Sequence, residues 1–146
     1  QTDIISWQLK IAANEKLTLD QADIGVNGHA IECRLYAEDP SNRFFPKPGE
    51  IETFEYPKGE GMRVDAAFEA PATVTPYYDP MIAKLSVHAQ DRATAIERMK
   101  ALLKGTTIRP LTTNKDFLVE VMNAGDYQQN QVDTTWLERF AKSLNS

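Results

Sequence analysis

The sequence predicts an α+β fold, an antiparallel β-sheet with helices packed against it. Two observations carry this. Apolar and polar residues alternate with period two in several runs between Ala30 and Ala89, whereas from Asp91 onward apolar residues recur at helical spacing. Strands therefore come first and helices follow, instead of alternating as βαβ units would.

Asp3 to Asn14 reads as an amphipathic helix with Ile4, Ile5, Leu9 and Ala12 near one face. Glu15 to Asn27 is polar with scattered apolar anchors, and Gly28 closes it as a turn. Ala30 to Ala37 is the first strand, with Ile31, Cys33 and Leu35 on one side and Glu32, Arg34 and Tyr36 on the other. Pro40 to Gly49 is a proline-punctuated loop, and its Phe44-Phe45 pair suits core or interface packing. Glu50 to Tyr56 is a second strand, rich in Ile, Thr, Phe and Tyr. The turn Pro57-Lys58-Gly59-Glu60-Gly61 returns it as Met62 to Phe68, a hairpin with a loose loop. Pro76 and Pro80 hold the Tyr77-Tyr78-Asp79 segment extended or turned. Met81 to Ala89 is a further strand, with Met81, Ala83, Leu85 and Val87 alternating with Ile82, Lys84, Ser86 and His88.

Asp91 caps a helix to Lys104 whose buried stripe is Ile96, Met99, Leu102 and Leu103, with Gly105 as its stop. Thr106 to Arg109 is a short extended piece ended by Pro110. Thr113 or Asn114 caps the next helix, which carries Phe117, Leu118, Val121 and Met122 and stops at Gly125. Asp133 caps a last helix with Trp136, Leu137, Phe140 and Leu144.

A chain of 146 residues suits one domain or a closely joined part of a larger one. Its hydrophobic fraction of 42% and charged fraction of 25% are ordinary for a globular protein. A net charge of −5, with the signs interspersed, argues against nucleic acid or an anionic membrane as partner. No apolar run reaches transmembrane length and no signal-peptide pattern is seen. The single cysteine, Cys33, cannot form an internal disulfide, which fits a reducing, cytoplasmic setting. With His29 and His88 it is a poor stock for zinc, and no metal site is expected.

No Gly-rich phosphate loop, nucleophile elbow or metal-spaced His pair is present. Arg34 is the leading candidate for chemistry, mid-strand and beside Glu32. Its planar fork can hold a carboxylate or bicarbonate, or stabilise negative charge on a substrate oxygen. The competing reading is a cross-strand ion pair on a solvated face. Tyr77, Tyr78 and Asp79 come next, presented rigidly at a loop-to-strand junction. Their competing reading packs the aromatic pair on the core, with Asp79 as a turn residue. Cys33 suits an inert core position, and Glu38-Asp39 a polar turn rather than a metal site.

Long segments in a shared order resemble the C-terminal domain of biotin carboxylases. They are Trp7 to Ala12, Gly28 to Pro40, Phe45-Pro46, Pro48-Gly49, Pro76 to Leu85, Ala95-Ile96, Arg98 to Lys100 and Thr113-Asn114. The resemblance implies an ATP- and bicarbonate-dependent ligase acting on biotin held by a carrier protein, as in acetyl-CoA carboxylase and fatty acid synthesis. Related carboxylases for propionyl-CoA, methylcrotonyl-CoA and pyruvate share the module. It implies that Arg34 lies by bicarbonate and the biotin ureido ring and stabilises the enolate. Asp79 and Tyr78 would support that site, and Thr134 would lie near the nucleotide where the family usually has Ile. Glu60 and Arg63 would fall at a dimer interface, with Glu60 replacing a Phe.

ATP and magnesium would belong to an ATP-grasp domain expected upstream of residues 1–146, so the chain by itself is expected to bind none of these cofactors and to be inactive. Partners implied are the biotin carboxyl carrier, a carboxyltransferase component and a possible second copy. A different class stays open: a non-catalytic interaction or dimerisation module using the hairpin and Tyr77-Tyr78.

Overall fold

The computed structural model describes residues 3–144. Helix α1 (Ile4–Ala12) starts where the Asp3 carboxylate accepts a hydrogen bond from Ser6 N at 3.0 Å. None of its residues is buried, so the expected apolar face of Ile4, Ile5 and Leu9 is exposed. An exposed stretch with a 3₁₀ turn at Gln21–Asp23 leads to Gly28, whose φ of +74° only glycine adopts without strain. Its hydrogen faces the Ala89 carbonyl and the His88 ring.

Strand β1 (His29–Tyr36) buries Ile31, Cys33 and Leu35 and exposes Glu32 and Arg34, as its alternation predicts. Short strands follow: β2 (Glu38–Asp39), β3 (Phe45–Pro46), β4 (Gly49–Ile51), β5 (Thr53–Glu55), β6 (Met62–Ala66) and β7 (Ala72–Val74). Then comes the long β8 (Met81–Ala89). Every pairing is antiparallel. The main sheet has the order β1-β8-β6, and β2-β3, β4-β7 and β5-β9 make smaller ladders, with β9 at Thr107–Arg109.

The predicted hairpin between the second strand and Met62 to Phe68 does not form. Instead β5 pairs with β9, and β6 pairs with β8 in the register Val64↔Leu85. Proline offers no N–H to a ladder, and Pro57 packs against Gly105 at the end of the following helix, steering the chain away from β6. Gly61, at φ +68°, accepts from His88 N at 2.8 Å and so hooks β6 onto the end of β8. The Phe44-Phe45 pair also divides. Phe44 meets the Phe117 ring edge-on at 4.8 Å, while Phe45 is exposed.

Helix α2 (Arg92–Gly105) is capped by Asp91, which accepts from Thr94 N at 2.7 Å. It buries Ala95, Ile96, Met99, Leu102 and Leu103, which join Ile31, Leu35, Leu85 and Val87 in one core. Gly105 ends the helix from within, with Thr106 as the C-cap. Helix α3 (Lys115–Asn123) stops at an extended Ala124, and Gly125 opens the short α4 (Gly125–Gln128) rather than closing α3. Helix α5 (Trp136–Leu144) buries Trp136, whose ring stacks on Phe140 at 4.9 Å and whose Nε1 donates to Asp126 Oδ2 at 3.3 Å. Leu137 and Leu144 of the same helix are exposed. Among the described residues no helix is long and apolar enough to cross a membrane.

Candidate functional site

Since Cys33 and Leu35 point into the core, Arg34 between them must point out. Its Nε lies 3.8 Å from Glu32 Oε1, and the two side chains are 64% and 47% exposed. A contact this long and this solvated contributes about 0–1 kcal/mol and does not immobilise the guanidinium. Ser86 Oγ donates to Glu32 Oε2 at 3.4 Å, and Lys84 stands opposite Arg34 in the ladder.

Because β1 is an edge strand, its outer side opens on a groove of about 670 Å³. Arg34, Glu32 and Glu38 line one flank, and Phe117, Val121 and Trp136 from α3 and α5 line the other. An apolar wall faced by a few charged groups is the usual make-up of a site that orients a small polar ligand.

The residue that sequence reasoning missed is Asn114. Its amide Nδ2 donates to Arg34 O at 3.1 Å, and its Oδ1 accepts from Tyr36 N at 3.0 Å. Asn114 N donates to Tyr36 O at 3.2 Å. The expected side-chain cap on α3 is absent because the amide is turned to β1, although Lys115 N does donate to Thr113 Oγ1 at 3.3 Å.

Burial pushes the Glu38 carboxyl above its usual range; a hydrogen bond with Asn114 opposes this, and the Asp79 charge adds to it. Asp79 thus lies within reach of Glu38 but, like Tyr78, outside the groove lining. Its own Oδ1 accepts from Met81 N at 2.8 Å, which makes it a turn residue as well. Tyr77 and Tyr78 are 85% and 83% exposed, which rules out the core-packed reading of that pair. Tyr78 and Thr134 lie outside the groove lining; Thr134 occupies the exposed turn before α5, beside groove-lining Asp133.

Glu60 and Arg63 belong to the opposite edge of the sheet. Arg63 Nη2 meets Asp65 Oδ1 at 2.8 Å, and Glu60 is exposed in the preceding turn. Cys33 is buried, and desolvation followed by the Glu32 charge pushes its thiol up to about 12, so it carries no thiolate chemistry at neutral pH. His29 shares a hydrogen bond with Arg92 at 3.1 Å, and the His88 ring meets Asn27 O at 2.8 Å. Among the described residues no group of three or more His, Cys, Asp or Glu could hold a metal ion.

A family model described as the biotin carboxylase C-terminal domain matches residues 32–139. The biotin carboxylase of Halalkalibacterium halodurans is 44% identical over 140 residues, covering 96% of this chain and 31% of that protein. The 2-oxoglutarate carboxylase small subunit of Hydrogenobacter thermophilus is 41% identical over 136 residues, covering 93% and 29%. The solved dimer of the biotin carboxylase domain of Hydrogenobacter thermophilus 2-oxoglutarate carboxylase, in complex with MgADP, ADP and bicarbonate, is 40% identical. It matches at a TM-score of 0.91 over 94% of this chain and 30% of that one. The biotin carboxylase subunit of a pyruvate carboxylase matches at 0.92 and 42% identity, over 97% and 31%. The chain thus spans under a third of the length of these relatives. Sequence and fold agree, and the chain belongs to the biotin carboxylase C-terminal domain family.

Proposed function

We propose that this chain serves as the C-terminal part of a biotin carboxylase, an ATP-dependent ligase that uses bicarbonate to carboxylate biotin on a carrier protein. The observation that carries this reading is Arg34, presented on an edge strand at the flank of an open groove in a chain of this family. Its guanidinium is solvated rather than locked, and so can meet negative charge developing on the ureido oxygen of biotin. Asp79, and more remotely Tyr78, act as supporting residues on the Pro76-to-Pro80 turn. Glu32 and Glu38 line the same flank, and Arg34 is the basic residue of the described groove lining, so that a bound anion depends on Arg34.

The Arg34 guanidinium, a planar donor fork in the groove lining, suits the biotin ureido oxygen or bicarbonate. ATP and magnesium are assigned to the remaining two thirds of the enzyme, and residues 1–146 to its C-terminal domain. Thr134 is assigned a place near the nucleotide, through the turn it shares with Asp133. Partners follow from the same reading: a biotin carboxyl carrier, a carboxyltransferase component, and a second copy meeting the β6 edge at Glu60 and Arg63. Acetyl-CoA, feeding fatty acid synthesis in the cytoplasm, is the acceptor we assign. Relatives named for pyruvate, 2-oxoglutarate and methylcrotonoyl-CoA make the acceptor a separate test, read by which of these the assembled carboxylase consumes.

The test of the reaction is Arg34→Ala in the full-length enzyme. Biotin carboxylation should fall by about 10²–10³-fold, as when a charge-stabilising donor is removed. Melting temperature should move by no more than about 2 °C, because the side chain is exposed. Parallel loss of folding and activity would contradict the reading. A second reading, a non-catalytic interaction or dimerisation module, draws on the exposed Tyr77 and Tyr78. It predicts self-association or carrier binding with no dependence of catalysis on Arg34.

A further inference from the structure

Arg34 hangs from a strand that the sheet supports on one side. β8 pairs with β1 across one edge, while at the other edge the backbone of Arg34 and Tyr36 meets the side chain of Asn114. A carboxamide carries an acceptor and a donor on one fork, so it can imitate a neighbouring strand over two residues. Asn114 uses both functions here, and adds its own N–H to the Tyr36 carbonyl. It is 5% exposed, so the three bonds are shielded from water. They fall where β1 slips out of regular register with β8, between Leu35 and Tyr36, and where the sheet alone fixes the chain least. Asn114 also begins α3, whose Phe117 and Val121 form the apolar wall of the groove. One residue thus ties the Arg34 backbone to the wall facing it.

We propose that Asn114 is a positioning residue for Arg34, setting the reach of the guanidinium across the groove through its hydrogen bonds to Arg34 O and Tyr36 N. This rests on the catalytic assignment of Arg34. Asn114 does not touch the reacting atoms; it acts through the strand. A shift of about 1 Å at a catalytic group can cost about 10²-fold in rate.

The test compares four variants of the full-length enzyme: Arg34→Ala, Asn114→Asp, the double variant, and Ile96→Ala as a core control outside the groove lining. Asn114→Asp keeps the acceptor for Tyr36 N and removes the donor to Arg34 O. Expected is a fall in kcat for biotin carboxylation of about tenfold or more. In the Arg34→Ala background the same change should cost less than about twofold, because residues acting as one unit are non-additive. Ile96→Ala should lower the melting temperature while keeping kcat near wild type. Should Asn114→Asp not fold, Asn114→Ser is judged by the same ratio. A strong Arg34→Ala defect with silent Asn114→Asp would overturn the positioning role alone. So would an equal loss in both backgrounds, or a kcat loss in Ile96→Ala matching that of Asn114→Asp. Normal kcat in Arg34→Ala would overturn the catalytic assignment, and the proposal with it.

Discussion

Cys33 and Arg34 are chain neighbours with opposite fates, decided by the pleat of one strand. Burial holds the Cys33 thiol neutral, up to about 12. The sign of its effect follows from proton counts: above the ordinary thiol value of 9.0 the unfolded chain loses this proton while the folded one keeps it. Stability from Cys33 is therefore fully present below pH 9.0 and is lost as pH rises toward about 12. Thermal melts from pH 8 upward should show a steeper decline for the wild type than for Cys33→Ala; identical slopes would contradict a neutral buried thiol. The strand's alternation made this inside-outside division legible in sequence. The Asn114 clamp was not legible, because its partners lie 78 and 80 residues away along the chain, and an Asn at a helix start ordinarily reads as a cap.

At the level of elements, local chemistry fixes ends and tertiary packing fixes partners. Asp133 accepts from Thr135 N at 2.9 Å and is held by Arg139 at 3.1 Å, which together secure the turn into α5. The Arg139 hydrogen bond, followed by those from Thr135, lowers its carboxyl from 3.8 to about 2. This support is present above pH 3.8 and fades as pH falls toward about 2. Circular dichroism over that range should show less acid sensitivity in Asp133→Asn than in the wild type; equal sensitivity would contradict that support. Gly28 offers a backbone counterpart. Gly28→Ala adds a Cβ at positive φ against the Ala89 carbonyl and should cost at least about 1 kcal/mol in chemical denaturation. Gly25→Ala, with nothing near its added carbon, should stay within about 0.5 kcal/mol. Strand β6 shows where sequence reading fails. Its alternation and the Pro-Gly turn before it suit a hairpin, yet the choice of β8 over β5 depends on Pro57 packing against Gly105, a contact made 48 residues away. Helix α2 was legible almost to its last residue, because Asp91 and the buried stripe are both local signals.

For the whole molecule, the layout separates three surfaces: the Arg34 groove at the β1 edge, the Arg63 edge at β6, and the exposed apolar residues of α1. The α+β class and the resemblance in motif order were both legible, and the family match and the TM-scores of 0.91 and 0.92 agree with them. The groove was not, since its two flanks come from β1 and from α3 and α5, whose approach no short-range pattern encodes. The groove sets an apolar wall from α3 and α5 opposite one solvated arginine, and the chain spans under a third of the length of its relatives. The decisive measurement is bicarbonate-dependent ATP hydrolysis and biotin carboxylation, run side by side on the 146-residue chain and on the full-length enzyme that the proposed function requires. If Arg34 serves a centre completed by the rest of the enzyme, the chain alone is folded and shows no turnover, while the full-length enzyme carboxylates biotin. Turnover by the pure chain, or a full-length protein that folds and binds nucleotide yet never carboxylates biotin, would contradict that central claim.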